Sequence, residues 1–148
     1  MTELPKPNPA LKRLERLVGT WIIKGRTLDS KADNVNGRVT IDWLPGGFFL
    51  QQRGEIEVMG LKVHGLEIVG YDSATKTFPS YAFSNIGEVA GRYYWDVQGD
   101  VVTHWTEGAK YTGRFSDDGN VLSGSWRSEE GAKQTPGNTY DATMTRVK

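Results

Sequence analysis

Cysteine is absent from all 148 residues, which removes disulfides, thiolate metal sites, iron–sulfur clusters and thiol catalysis together. Neither sign of charge is in excess, since 18 Lys plus Arg face 18 Asp plus Glu. No basic run appears either, so nucleic acid and anionic membrane surfaces are not expected partners. Long apolar stretches are missing: nothing reaches bilayer-spanning length, and residues 1–9 lack the apolar core of a signal peptide. A cytoplasmic location is the expectation. Histidine is scarce, with only His64 and His104, and no His/Asp/Glu grouping has metal-ligand spacing. No Gly-rich loop leads into a helix and no Gly-x-Ser-x-Gly elbow is present, so neither nucleotide hydrolysis nor serine-type acyl transfer is expected. No metal and no cofactor is called for.

What the chain has instead is glycine and rings: 18 Gly, 5 Trp, 6 Tyr and 5 Phe, a composition of strands joined by tight turns. At this length one domain is expected, burying roughly 68–70% of its extended surface, enough for a core without staples. Residues 1–9, with Pro5, Pro7 and Pro9, read as a flexible arm, and 10–148 as the domain. Asn8 or Pro9 can open one short helix carrying Leu11, Leu14, Leu17 and Val18 at spacings of three and four, with Gly19 placed to end it. Beyond it no helical period persists.

Strand-like segments follow at 20–29, 36–44, 48–58, 61–71, 76–85, 89–98, 101–107, 110–117, 121–129 and 138–147. The gaps hold turn chemistry: Pro45-Gly46-Gly47, Met59-Gly60, Asp72-Ser73, Gly99-Asp100, Asp118-Gly119 and Pro136-Gly137. About ten short-linked strands predict an all-β, up-and-down antiparallel barrel, because closure removes both sheet edges.

Three tight turns fix which residues face inward. A two-residue turn at Met59-Gly60 pairs Val58 with Leu61, Ile56 with Val63, Gly54 with Gly65, Gln52 with Glu67 and Leu50 with Val69. The other face then carries Glu57 opposite Lys62 and Glu55 opposite His64, a surface set. Around Asp118-Gly119 the same arithmetic pairs Phe115 with Leu122, Gly113 with Gly124 and Tyr111 with Trp126. Around Gly99-Asp100 it pairs Val97 with Val102, Trp95 with His104 and Tyr93 with Thr106. A three-residue turn there turns His104 outward. The inward Gly–Gly pairs either leave space or let strands bend sharply.

The order Gly19-Thr20-Trp21, Trp43-Leu44-Pro45-Gly46-Gly47-Phe48, Val69-Gly70-Tyr71-Asp72, Gly113-Arg114-Phe115-Ser116-Asp117-Asp118-Gly119 and Thr143-Met144-Thr145-Arg146 resembles a family of small bacterial lipocalin-like domains of the calycin superfamily. That resemblance implies a barrel whose Trp21 packs across a closed base, and it brings no catalytic residues with it. The opening Gly-x-Trp and Gly25 are also similar to the nitrobindin haem proteins, which implies His104 as the one available haem ligand.

Parity places Glu67 and Gln52 together inside the barrel. A buried carboxylate is costly unless hydrogen-bonded or paired, and burial raises its pKa, so Glu67 is either a ligand anchor or acid–base group or an idle acid near the mouth. His104, beside Trp95, is a candidate proton carrier or ligand contact, or a structural hydrogen-bonder. Trp43, Tyr93, Trp95, Tyr111 and Trp126 are expected as pocket walls and Trp21 as core, while Arg92, Asp96, Arg114 and Arg127 fall on the outer face.

The function expected is binding or carriage of a small hydrophobic or aromatic molecule inside the barrel, with Gln52, Glu67 and His104 orienting its polar end. The alternative is a cofactor-free acid–base enzyme (isomerase, cyclase, decarboxylase or hydrolase) using Glu67 and His104. The lesser alternative is haem binding through His104. Nothing in the sequence bars two barrel walls from pairing as a homodimer.

Overall fold

The computed structural model of the chain describes residues 3–129, 131 and 139–148. A 3₁₀ helix (Pro9–Leu17) precedes ten strands: β1 (Gly19–Thr27), β2 (Val35–Trp43), β3 (Leu50–Val58), β4 (Leu61–Val69), β5 (Phe78–Ser84), β6 (Gly91–Gln98), β7 (Val101–Thr106), β8 (Ala109–Phe115), β9 (Val121–Ser128) and β10 (Tyr140–Arg146). Each strand pairs antiparallel with its neighbours in sequence, and β1 also pairs with β10, so the sheet closes. The expected all-β up-and-down barrel with one short N-terminal helix is what forms. The Pro136-Gly137 turn and residue 138 lie outside the described residues.

Registers inferred from turn length hold. Met59 (φ 52) and Gly60 (φ 85) both take positive φ, as a two-residue hairpin turn of the right twist requires, and Val58 opposes Leu61. Gly99 (φ 58) likewise begins a two-residue turn that pairs Gln98 with Val101 and Trp95 with His104. That turn sends His104 inward.

The helix spacing resolves toward three. Leu11, Leu14 and Leu17 lie on one edge and all are buried, which suits a helix of three residues per turn. Asn8 caps it, its Oδ1 accepting from the Ala10 N–H at 2.9 Å. Gly19 does not end it: Val18, with extended backbone, is the cap, and its N–H bonds back to Glu15 O.

The helix corks one end of the barrel. Beneath it Trp21 is fully buried, donating from Nε1 to Leu17 O at 2.9 Å. The Arg146 guanidinium, from the last strand, lies 4.2 Å from the Trp21 ring centroid and bonds Val18 O, Arg16 O and Gly119 O. Arg16 bridges to Asp100 at 2.8 Å, and Arg13 pairs with Asp96. Asp96, expected as solvated surface, thus helps seat the helix. Ile41, Leu50, Val69, Phe78, Val97, Val102, Phe115 and Leu122 fill the barrel around this cork. Each such side chain contributes about 1.5–3 kcal/mol by leaving water. At the opposite end, the tips of the loops expose Leu28, Met59, Leu61, Ile86 and Val89.

Candidate functional site

Above the packed base, the barrel interior opens into a cavity of about 520 Å³. Part of its wall is aliphatic, including Ile23, Val39 and Ile41, and part is aromatic and polar. Alternation along each strand puts Gln52 of β3, Glu67 of β4, Tyr93 and Trp95 of β6, His104 of β7, Tyr111 of β8 and Trp126 of β9 on this lining, as the sequence predicts. Trp43 is not on it. Its ring lies at the corked end, where Nε1 donates to Glu15 Oε2 at 2.6 Å. Parity alone fixes the face a residue occupies, not its height along the barrel axis, so Trp43 faces in but below the cavity.

The two glycine pairs divide between the two readings. At Gly65 an added Cβ would meet only Phe83 O, 3.8 Å away, so that glycine leaves space. Gly54, its partner, is pressed against Arg38 O (2.7 Å to an added Cβ) and Val39 of β2, where strands close on each other. Across the barrel, an added Cβ on Gly113 or Gly124 would lie 2.8 Å or 2.7 Å from Tyr111 Cζ. These two make a bed for the Tyr111 ring.

Glu67 is the centre of the site, with 6% of its surface exposed. Three donors converge on one of its oxygens. Ser80 Oγ and Trp95 Nε1 each donate to Oε2 at 2.6 Å, and His104 Nε2 reaches the same atom at 2.9 Å. Trp95 also stacks on His104, with ring centroids 3.7 Å apart and planes 17° from parallel. Tyr93 and Trp126 pack on the imidazole at 5.1 Å each. Burial by itself would raise the Glu67 pKa, but the charge of His104 and the hydrogen bonds from His104, Ser80 and Trp95 outweigh it. The carboxyl is held below its ordinary value and stays ionised at neutral pH.

The second oxygen of Glu67 is arranged differently. No described residue donates to Oε1, yet it is not among the side-chain atoms sealed from solvent. It therefore faces the cavity. Gln52, the cross-strand partner of Glu67, also offers its amide to the cavity with no bond to a described residue.

Among the described residues, three phenols line the cavity. Burial, then the Glu67 charge, pushes Tyr93 up; burial, then Tyr93, pushes Tyr140 up to about 12; burial, then Tyr140, pushes Tyr111 higher still. All three remain neutral O–H groups. The Tyr111 hydroxyl is sealed in without a hydrogen-bond partner among the described residues.

Two members of the site were not anticipated. Ser80 sits on β5 behind a longer β4–β5 connection, whose register no tight turn fixes, though the alternation Phe78, Ser80, Ala82 would have flagged a small polar residue facing in. Tyr140 opens β10 just past the undescribed stretch and pairs with Trp126. His64, as expected, is a surface residue, 3.7 Å from Glu55. Arg127 pairs with Asp141 on the outer face, and Arg92 lies over Tyr81 there.

The surroundings of His104 do not fit haem. Its Nε2 is committed to Glu67, Trp95 covers one face at stacking distance, and Tyr93 and Trp126 crowd the ring. The remaining nitrogen, Nδ1, is the one next to the strand backbone, where a porphyrin plane needs several ångströms of clearance. No group of three or more His, Cys, Asp or Glu among the described residues could hold a metal ion. No helix among them is long and apolar enough to cross a membrane. The family model described as Protein of unknown function (DUF1579) matches residues 6–114, from the N-terminal arm into β8. No curated protein matches the chain.

Proposed function

Since the chain belongs to the DUF1579 family, whose function is not established, activity has to be read from the barrel itself, and we propose that the protein binds and carries one small hydrophobic or aromatic molecule in its interior. The observation that carries this reading is the cavity of about 520 Å³, walled by aliphatic and aromatic side chains with a few polar groups converging at one height. That combination, rather than apolar volume alone, is what small-molecule sites share. A lipocalin-like barrel of this size has room for one such guest, and a cysteine-free chain suits a reducing cytoplasm.

Gly65 supplies the test, because it faces the cavity with room for a side chain. The fluorescent probe 1-aminoanthracene is expected to bind the wild type at one site per chain, with a blue-shifted, enhanced emission. In Gly65→Phe the ring fills that space, so probe binding is lost while the melting temperature holds. Unchanged probe affinity in a folded Gly65→Phe protein would place the site elsewhere and end the interior-carrier reading.

The second reading is a cofactor-free acid–base enzyme, and the Glu67–His104 contact inside a cavity favours it. The depressed Glu67 pKa counts against it, because a general acid near neutral pH needs a raised one. Glu67→Gln tests the second reading: an enzyme loses its turnover while still binding, whereas a carrier has no turnover to lose and changes only in affinity.

A further inference from the structure

Resting on the reading that the cavity holds a guest, the polarity of its lining restricts what that guest's head can be. Three donors already crowd Oε2 of Glu67, while Oε1 of the same buried carboxylate has no partner among the described residues and faces the cavity. An ionised carboxylate only accepts hydrogen bonds, so what is missing at Oε1 is a donor. Among the described residues no Lys or Arg lines the cavity. His104, the one lining group among the described residues able to carry positive charge, directs its Nε2 at Glu67 and has a face covered by Trp95. An anionic head would thus meet a negative oxygen at close range, with no free cation among the described residues to receive it. Two carboxylates sharing such a site repel, and one must take up a proton to remain.

We propose that the cavity selects apolar compounds whose polar head donates a hydrogen bond, a hydroxyl or an amine seated on Glu67 Oε1, and rejects carboxylate-headed compounds such as fatty acids. Tyr93, Tyr140 and Trp126, all on the lining, and Gln52, the cross-strand neighbour of Glu67, would then supply the head's remaining bonds.

Three biphenyls with one apolar body and different heads test this by isothermal titration: 4-phenylphenol (a donor), 4-methoxybiphenyl (an acceptor only) and biphenyl-4-carboxylate (an anion). The phenol is expected to bind at least about tenfold tighter than the methoxy compound, as a hydrogen bond to a charged group commonly gives, and the carboxylate is expected not to bind. In Glu67→Gln the phenol's advantage should shrink toward parity and the carboxylate should gain. Equal affinity for phenol and methoxy compound in the wild type overturns head selection and leaves the carrier reading standing. Carboxylate binding as tight as the phenol's overturns it as well. If none of the three binds, the carrier reading falls and this inference with it. The wild-type series decides even where Glu67→Gln fails to fold.

Discussion

Removing one atom, the Tyr111 hydroxyl oxygen, should make this protein more stable. That oxygen is sealed inside the barrel without a hydrogen-bond partner among the described residues, against the bare backbone of Gly113. In the unfolded chain it is hydrated, so folding strips its water and returns nothing. The cost of such a group is about 1–3 kcal/mol, and Tyr111→Phe recovers it while keeping the ring. With about 2–4 °C per kcal/mol for a domain of this size, the melting midpoint should rise by at least about 2 °C. Differential scanning calorimetry and urea unfolding, followed by tryptophan fluorescence, measure both quantities. The companion substitution Gly113→Ala pushes a methyl group toward the same ring, with Cζ 2.8 Å from the new Cβ and the hydroxyl closer still. It should cost about 1–3 kcal/mol as overpacking. Its cost should fall in the Tyr111→Phe background, because the nearest atom is gone, giving a coupling of at least about 0.5 kcal/mol. A drop in midpoint for Tyr111→Phe would show that the hydroxyl is satisfied after all. Strict additivity of the pair would show that the ring does not lie over Gly113.

Other outcomes follow from the same geometry. Trp21→Ala empties the base beneath the helix and should cost about 3–5 kcal/mol, read as the shift in urea midpoint. Ser80→Ala removes one of the donors that keep the buried Glu67 carboxylate ionised and should cost about 1.5–3 kcal/mol at neutral pH, with the loss fading in acid. The folded-state pKa of Glu67 lies below its ordinary 4.5, so its stabilisation is complete above that value and is lost as pH falls through the depressed one. Urea titrations from about pH 6 down to about pH 3 should therefore show the gap between wild type and Glu67→Gln closing; a gap that widens in acid would reverse the assigned direction.

Much of this architecture is legible because tight turns convert sequence separation into contact. Once Met59-Gly60 and Gly99-Asp100 are two-residue turns, Gln52 must face Glu67 and Trp95 must face His104, and they do. The same reasoning stops where connections lengthen. The β4–β5 connection, 70–77, lets several registers through, so Ser80 could not be matched to Glu67 beforehand. Height along the barrel axis is also invisible to alternation, which is why Trp43 was grouped with the cavity wall and lies at the cork. Least legible was the division of labour within one carboxylate. Which oxygen of Glu67 is saturated depends on side-chain torsions that no pattern of residues records.

The seam between β1 and β10 has a consequence for how the protein is made. Trp21 is paired with Arg146, and the helix at the start of the barrel is tied down by that same arginine. A ribosome emitting this chain releases nine strands before the one that shuts the cylinder, so until then β1 and β9 are open edges and the arginine that ties the helix over Trp21 is missing. Such nascent barrels are slow to complete and prone to stray pairing. The finished fold is a latch that only its final strand can close.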